Sequence, residues 1–359
     1  MHRVLLAAAA AVLPFSPASG EAPVAPAAAQ APAFDRAVAR EAVGSLAERL
    51  EADFVFPEAG KAYAAMLRAR LAEGAYDSFP DQRAFAEAVT TDLQKVHRDG
   101  HLRVHVVPPE ARSGPPQEGP GGGGPDPALN TITRSGWEAD GVAYIAFDAF
   151  FGTPATMAAL ERFIAEHAGA RALIIDIRAH RGGGLAEMDL LFPHLFTTPT
   201  TLVTMDTRAS VVARMGGQGP AEGRLRRVAA PEGVVRDEHY VEPAANGAFQ
   251  RSAIYVLTSK RSASAAEHLA LSLKRAGRAT LVGETTYGAG NFGGMVPLDK
   301  AFTYAAFVPN GRTFDPDTGQ GWEGTGVAPD VAVAAGDALA KALELAGVAA
   351  PAAGQTTGE

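Results

Sequence analysis

The apolar run Ala253-Ile254-Tyr255-Val256-Leu257-Thr258 is followed almost at once by Ser262-Ala263-Ser264-Ala265-Ala266-Glu267. An unbroken apolar run of this length, rich in β-prone residues, suits a strand buried on both faces, as in a parallel sheet. The segment behind it opens a helix, because Ser264 and Glu267 have the spacing of a capping box. A buried strand that hands over to a helix within a few residues constrains the chain to a layered α/β arrangement. Ser264 at the junction has two readings. It is an ordinary helix cap, or it is a nucleophile placed where free N–H groups and partial positive charge stabilise a developing oxyanion.

The rest of the chain extends the α/β pattern. Three apolar series with helical spacing run from Phe34 to His97, broken at Pro57 and Pro80, and predict a small domain of three helices. Strands are predicted at 102–107, 142–147, 172–177, 200–205, 253–258, 279–283, 302–308 and 331–333. Helices are predicted at 154–167, 185–194, 264–276 and 336–347. The alternation implies substantial parallel pairing. Residues 113–127, dominated by Pro and Gly, are expected to be an exposed loop. Residues 207–251 carry no assigned element, and a lid or substrate-facing insertion is the expectation there.

The 359 residues carry a net charge of -8, which argues against a nucleic-acid partner. No internal apolar run is long enough to span a bilayer. Met1-His2-Arg3, the apolar run Val4 to Phe15 and the small residues that follow predict a secretory signal peptide over 1–20, hence a periplasmic or secreted protein. Residues 21–33 read as an Ala/Pro linker. With no cysteine in the chain, thiol nucleophiles and Cys-ligated zinc are excluded. His97, His101 and His105 are spaced four apart, but Arg98 stands where a zinc-peptidase helix needs Glu, so neither a metal nor a cofactor is expected.

Three further segments carry chemistry. Asp176-Ile177-Arg178-Ala179-His180-Arg181-Gly182-Gly183-Gly184 follows a buried run, and its glycines allow backbone N–H groups to point at an anion. It lacks the Gly-Lys-Ser/Thr of a phosphate loop, so an oxyanion-donor loop is the better reading, with Asp176 and Arg178 paired inside it. Asp99-Gly100-His101 lies where the helices give way to the first strand. Any one of nine histidines has a low prior as a general base; His268 shares a helix with Ser264, and His180 sits in the glycine loop. Glu323, within Gly321-Trp322-Glu323-Gly324, reads either as a partner for His101 or as a solvated turn acid.

Taken together and in this order, these segments resemble the carboxy-terminal processing (tail-specific) serine peptidases. The likeness is to the branch that includes the tricorn core protease and the interphotoreceptor retinoid-binding protein repeats. It spans about residues 35–335 and rests on Phe54-Val55-Phe56-Pro57-Glu58, Asp99-Gly100-His101, Asp176-x-Arg178 through Gly183, Ser262 through Glu267, Val282 through Gly288, and Gly326-Val327-x-Pro329-Asp330. The resemblance implies a crotonase-like or ClpP-like spiral core of mixed sheet and helices over 99–347. The chain's own pattern gives a helical domain over 34–98, and a disordered tail is expected over 348–359. The resemblance further implies an endopeptidase for unfolded or C-terminal polypeptide segments, with Ser264 as nucleophile, His101 as base and Glu323 as its support, and the N–H groups of Ala265 and of Gly182 or Gly183 as oxyanion donors. The alternative is a non-catalytic module holding hydrophobic ligands or peptides on the same fold. Three departures stand out. Ala289 in Gly288-Ala289-Gly290 replaces the lysine base of bacterial processing proteases. His180 replaces the usual asparagine of the glycine motif. The loop 113–127 occupies the place of a PDZ domain.

Overall fold

Asp35 opens the first helix by accepting the N–H groups of Ala37 and Val38 at 2.8 and 3.2 Å. The computed structural model describes residues 33–112, 125–216 and 224–348. The expected signal peptide, most of the Ala/Pro linker, residues 113–124 of the Pro/Gly loop and the tail beyond residue 348 lie outside the described residues.

Three helices lead: α1 (Arg36–Asp53), α2 (Pro57–Ala72) and α3 (Gln82–Val96). Then come β1 (Arg103–Val106), β2 (Ile132–Ala139), β3 (Val142–Phe147), α4 (Pro154–Glu166), β4 (Ala172–Asp176) and α5 (Ala186–Leu191). The middle of the chain forms β5 (Thr200–Arg208), α6 (Ala209–Arg214), β6 (Leu225–Val228) and β7 (Val234–Val241). It closes with β8 (Ala253–Thr258), α7 (Ala265–Arg275), β9 (Thr280–Gly283), β10 (Asn291–Pro297), β11 (Tyr304–Phe314), β12 (Val331–Ala332) and α8 (Ala338–Leu345).

The strands form two sheets. One runs β12-β9-β8-β4-β3-β2 and is parallel except for the β2–β3 edge. Its strands β3, β4 and β8 are the continuous apolar runs of the sequence, buried because α4, α5 and α7 cover one face and α8 the other. The second sheet runs β1-β11-β5-β7-β6, with β10 also on β11, and is antiparallel throughout. The helical leader packs on it: Phe85, Leu93 and Leu46 share one core with Val104, Tyr304 and Val308. Each fully buried large side chain here contributes roughly 1.5–3 kcal/mol. The leader helices and the first and eleventh strands are thus continuous in packing. The fold is the layered mixed α/β arrangement with an N-terminal helical region that the sequence predicts.

One consequence of the parallel sheet positions everything below. Strands β4 and β8 are neighbours in register, with Asp176 opposite Leu257. The glycine loop after β4 and the serine turn after β8 therefore leave the same edge of the sheet side by side, where parallel α/β sheets form their binding crevices.

The described residues of 207–251 include regular structure. They finish β5 and supply α6, β6 and β7, and Leu225 and Tyr240 from this stretch line the cavity beside Ser264.

Candidate active site

Between β8 and α7 the chain turns on two hydroxyls. Ser262 Oγ donates to the Ile177 carbonyl at 2.8 Å, and Ser259 Oγ donates to the Arg178 carbonyl at 2.6 Å. The Ala263 N–H donates to the His180 carbonyl at 3.0 Å. The serine turn is therefore laced to the glycine loop before Ser264 is reached. Ser264 itself has φ 57° and ψ -114°, a region that non-glycine residues rarely occupy and that costs about 1–3 kcal/mol. Such strain on a strand-to-helix elbow projects a serine out of the backbone. The next residue, Ala265, begins α7, and its N–H has no protein acceptor among the described residues.

The glycine loop lies against this elbow. Arg178 Nη2 pairs with Asp176 Oδ2 at 2.6 Å, as the sequence predicts, and fixes the end of β4. A Cβ on Gly182 would sit 3.0 Å from the Ser264 Cβ, and one on Gly183 would sit 1.9 Å from the Phe150 carbonyl oxygen. Only glycine fits the second position, because backbone cannot yield there. His180 is fully buried and its pKa is pushed down to about 3, by burial first and then by the neighbouring Arg181 charge. The ring is therefore neutral, and its Nδ1 accepts the Gly182 N–H at 3.1 Å. Of the two glycines expected as alternative donors, Gly182 has its N–H engaged by the histidine that stands where the resemblance expects asparagine. The Gly183 N–H has no protein acceptor among the described residues.

Two glutamates, Glu267 buried and Glu323 half-buried, organise the remainder. Glu267, expected only as a helix cap, accepts the Ser264 N–H at 2.8 Å, the Gly288 N–H at 2.6 Å, the Ala289 N–H at 2.8 Å and the Thr286 hydroxyl at 2.6 Å. Glu323 accepts the next two N–H groups of the same turn, Gly290 at 2.6 Å and Asn291 at 2.9 Å, and the Gly100 N–H at 2.7 Å. Both carboxyls have raised pKa values. Burial is the main cause for each, opposed by these hydrogen bonds; for Glu323 the nearby Asp99 charge adds to the rise. The 288–291 turn, which carries the base lysine in bacterial processing proteases, is thus a bridge between the serine elbow and the segment entering His101.

His101 is held by its backbone. Asp99 Oδ1 accepts the N–H groups of His101 and Leu102 at 2.8 and 2.9 Å, and Asn291 Nδ2 donates to Asp99 Oδ2 at 2.8 Å. From α3, Gln94 donates to the carbonyls of Asp99 and Leu102 at 2.9 Å each. The imidazole stacks on Phe307 with ring centroids 5.0 Å apart, and its buried Nδ1 has no hydrogen-bond partner. Burial lowers the His101 pKa below 6.5; Asp99 opposes the shift and Arg103 adds to it. No hydrogen bond joins the His101 ring to Glu323 or to Ser264 among the described residues. The Glu323 carboxyl makes no direct hydrogen bond to the imidazole among the described residues; it accepts the backbone N–H groups of Gly100, Gly290 and Asn291.

Ser264, Ala265 and Gly183 share one cavity of about 1090 Å³, whose wall also includes Ala289, Gly290, Asn291, His268 and Asp189. Neither His101 nor Gly182 is part of that wall. The sequence reading missed Asn291 and the wider role of Glu267. A buried acid whose partners lie about twenty residues away leaves no local pattern to read.

A strained serine at a helix start, facing a glycine loop with an unengaged N–H, is the arrangement of a serine hydrolase. Residues 141–333 match peptidase family S41, and the chain belongs to that family. It is a serine-type peptidase, and its substrates are polypeptides. Residues 27–130 match the N-terminal domain of S41 peptidases in eukaryotic IRBP. Among solved structures, a candidate peptidase from Parabacteroides merdae ATCC 43184 superposes with a TM-score of 0.58 at 15% identity, over 89% of this chain and 99% of that one. The photosystem II D1 C-terminal processing protease superposes with a TM-score of 0.50 at 16% identity, over 83% of this chain and 93% of that one. These likenesses are of fold.

Proposed function

We propose that the chain is an endopeptidase that cleaves unfolded or C-terminal polypeptide segments, with Ser264 as nucleophile and His101 as general base. The observation that carries this reading is the 288–291 turn, whose four N–H groups are divided between Glu267 on the serine side and Glu323 on the histidine side. Ala289 has no proton acceptor to offer, so a serine–lysine dyad is not available at that turn. His101 Nδ1 has no hydrogen-bond partner among the described residues, and the lowered pKa keeps the ring neutral and able to accept a proton. Ser264 Oγ attacks the scissile carbonyl carbon as its proton passes to His101. The tetrahedral oxyanion is received by the Ala265 and Gly183 N–H groups. The imidazolium then gives the proton to the departing amine, and water releases the acyl group by the same steps in reverse.

The N-terminal pattern further supports export, with the mature chain beginning near residues 18–22. N-terminal sequencing of secreted material checks that point. The catalytic reading is tested by labelling the full chain with a fluorophosphonate and mapping the adduct. Modification at Ser264, reduced in His101→Gln, is expected. Absence of any adduct at Ser264 overturns it.

A further inference from the structure

A second cavity, of about 590 Å³, meets the start of the turn that links the two glutamates. Tyr287, directly before that turn, is in its wall, and so is Gly100, directly before His101. The Tyr287 N–H donates to the Ser262 carbonyl at 3.0 Å, so this wall is anchored to the serine elbow as well. Ala289, two residues further on, already lines the Ser264 cavity. Two residues span no more than about 7 Å of backbone, so the two cavities are neighbours along one turn.

The wall of this second cavity is rich in donors. Arg98 is exposed and makes no side-chain hydrogen bond or ion pair among the described residues. Arg103 has a single side-chain partner there, the Tyr287 hydroxyl, at 3.2 Å. A phenol oxygen that accepts from a guanidinium keeps its own proton free to donate. Lys95, held by Asp92 at 3.0 Å, adds a further cation. The acid in the wall, Asp99, is buried and committed: its oxygens receive the His101 and Leu102 N–H groups and the Asn291 amide. Arg98, Arg103 and Lys95 thus face one spent carboxylate, on a chain whose net charge is -8. The charge of the cavity is local and opposite in sign to that of the molecule. The groups left without an anion are two guanidiniums and a phenol O–H, a set suited to receive a carboxylate.

We propose that this cavity binds a carboxylate of the polypeptide substrate between Arg98, Arg103 and the Tyr287 hydroxyl, while the chain that carries it runs on into the Ser264 cavity. The assignment rests on the catalytic reading of Ser264. A polypeptide offers such a group in two places, the α-carboxylate at its C-terminus and the side chain of Asp or Glu.

The probe is one N-acetylated dodecapeptide without acidic residues, made in three forms. One has a free C-terminal carboxylate, one a C-terminal amide, and one the amide plus a single glutamate near the end. Dissociation constants are read by calorimetry with the full Ser264→Ala chain. A carboxylate form is expected to bind about fivefold tighter than the plain amide, against the repulsion of the net charge. That margin is expected to shrink in about 0.5 M NaCl. A margin for the free acid alone assigns the chain end, and a margin for the glutamate form assigns the side chain. In the same background Arg98→Glu is expected to reverse the margin and Arg103→Gln to remove it. Both residues are exposed, and a folding lesion would weaken all three forms together. Equal binding of the three forms, or a margin that survives both substitutions, overturns the anion site. With the wild-type chain the favoured form is expected to be cut with a lower KM than the amide. A binding margin without hydrolysis of any form keeps the anion site and overturns the catalytic reading of Ser264. Hydrolysis of all forms without a margin does the converse.

Discussion

Glu267 and Glu323 perform the same structural task on opposite sides of one turn, yet they bind different things to it. Glu267 ties the turn to the serine elbow of the parallel sheet, with four donors on its carboxyl. Glu323 ties it to Gly100, on the stretch governed by the helical leader and the antiparallel sheet, with three. The serine side is defined by strain and close backbone approach, whereas the histidine side is defined by side-chain hydrogen bonds from Asp99, Gln94 and Asn291. The contrast teaches that Ser264 is fixed by backbone geometry, and His101 by a polar network that, on the catalytic reading, must stay intact.

The heaviest blow to the serine side is Ser264→Ala, expected to lower kcat on the order of 10⁶-fold with thermal unfolding little changed, because the alanine Cβ keeps the same strained backbone. Steady-state kinetics on an unfolded protein, together with a circular-dichroism melt, check both halves. His101→Gln should cost about 10²–10⁴ in kcat and leave KM near the wild-type value, as expected for lost proton transfer. Comparable turnover in that variant would break the comparison at its weaker end. Glu267→Gln and Glu323→Gln sharpen it further. Each forces an amide among inward-pointing N–H groups and should cost about 1–3 kcal/mol in urea denaturation. Glu267→Gln should be the more destabilising, and Glu323→Gln should lose more activity per unit of stability lost.

The pH responses come next in size. Since the His101 pKa lies below 6.5, the acid limb of kcat/KM is expected to have its midpoint below pH 6.5 and to vanish in His101→Gln. Stability behaves separately. His180 titrates near 6.5 when unfolded but near 3 when folded, so the unfolded chain binds the extra proton between those values. Stability from this residue is full above pH 6.5 and falls as the pH drops towards 3; urea midpoints measured from pH 7 to 4 should fall less steeply in His180→Asn. The smallest expected effect is Ser264→Gly, which should be more stable than Ser264→Ala by about 1 kcal/mol because glycine accepts a positive φ.

The sequence exposes the serine side better than the histidine side, for a physical reason. Strands β3, β4 and β8 are continuous apolar runs because helices cover both of their faces, so Val142–Phe147 and Ala253–Thr258 are legible to the residue. Strands β6 and β7 escape notice because ion pairs take the place of apolar side chains: Arg227 with Asp237, Arg226 with Glu238, and Arg236 with Asp206 on β5. Strand β10 hides behind Gly293 and Gly294, the first of which lies against the Val308 carbonyl oxygen too closely for any side chain. In the site, the Ser264 elbow and the glycine loop carry local signatures. The links from Glu323 to Gly100 and from Asn291 to Asp99 join residues about two hundred positions apart and leave no periodic trace.

The bridge at 288–291 also has a consequence in time. A chain made from its N-terminus exposes the leader and His101 long before Glu323 has been synthesised, and β1 has no partner until β11 is complete. On the catalytic reading, a molecule made past Ser264 but not yet to Glu323 holds a hydroxyl and an imidazole with nothing to hold them in relation to one another. Hydrolytic power is therefore withheld until the last third of the polypeptide has closed over the first, which protects a nascent chain from its unfinished siblings.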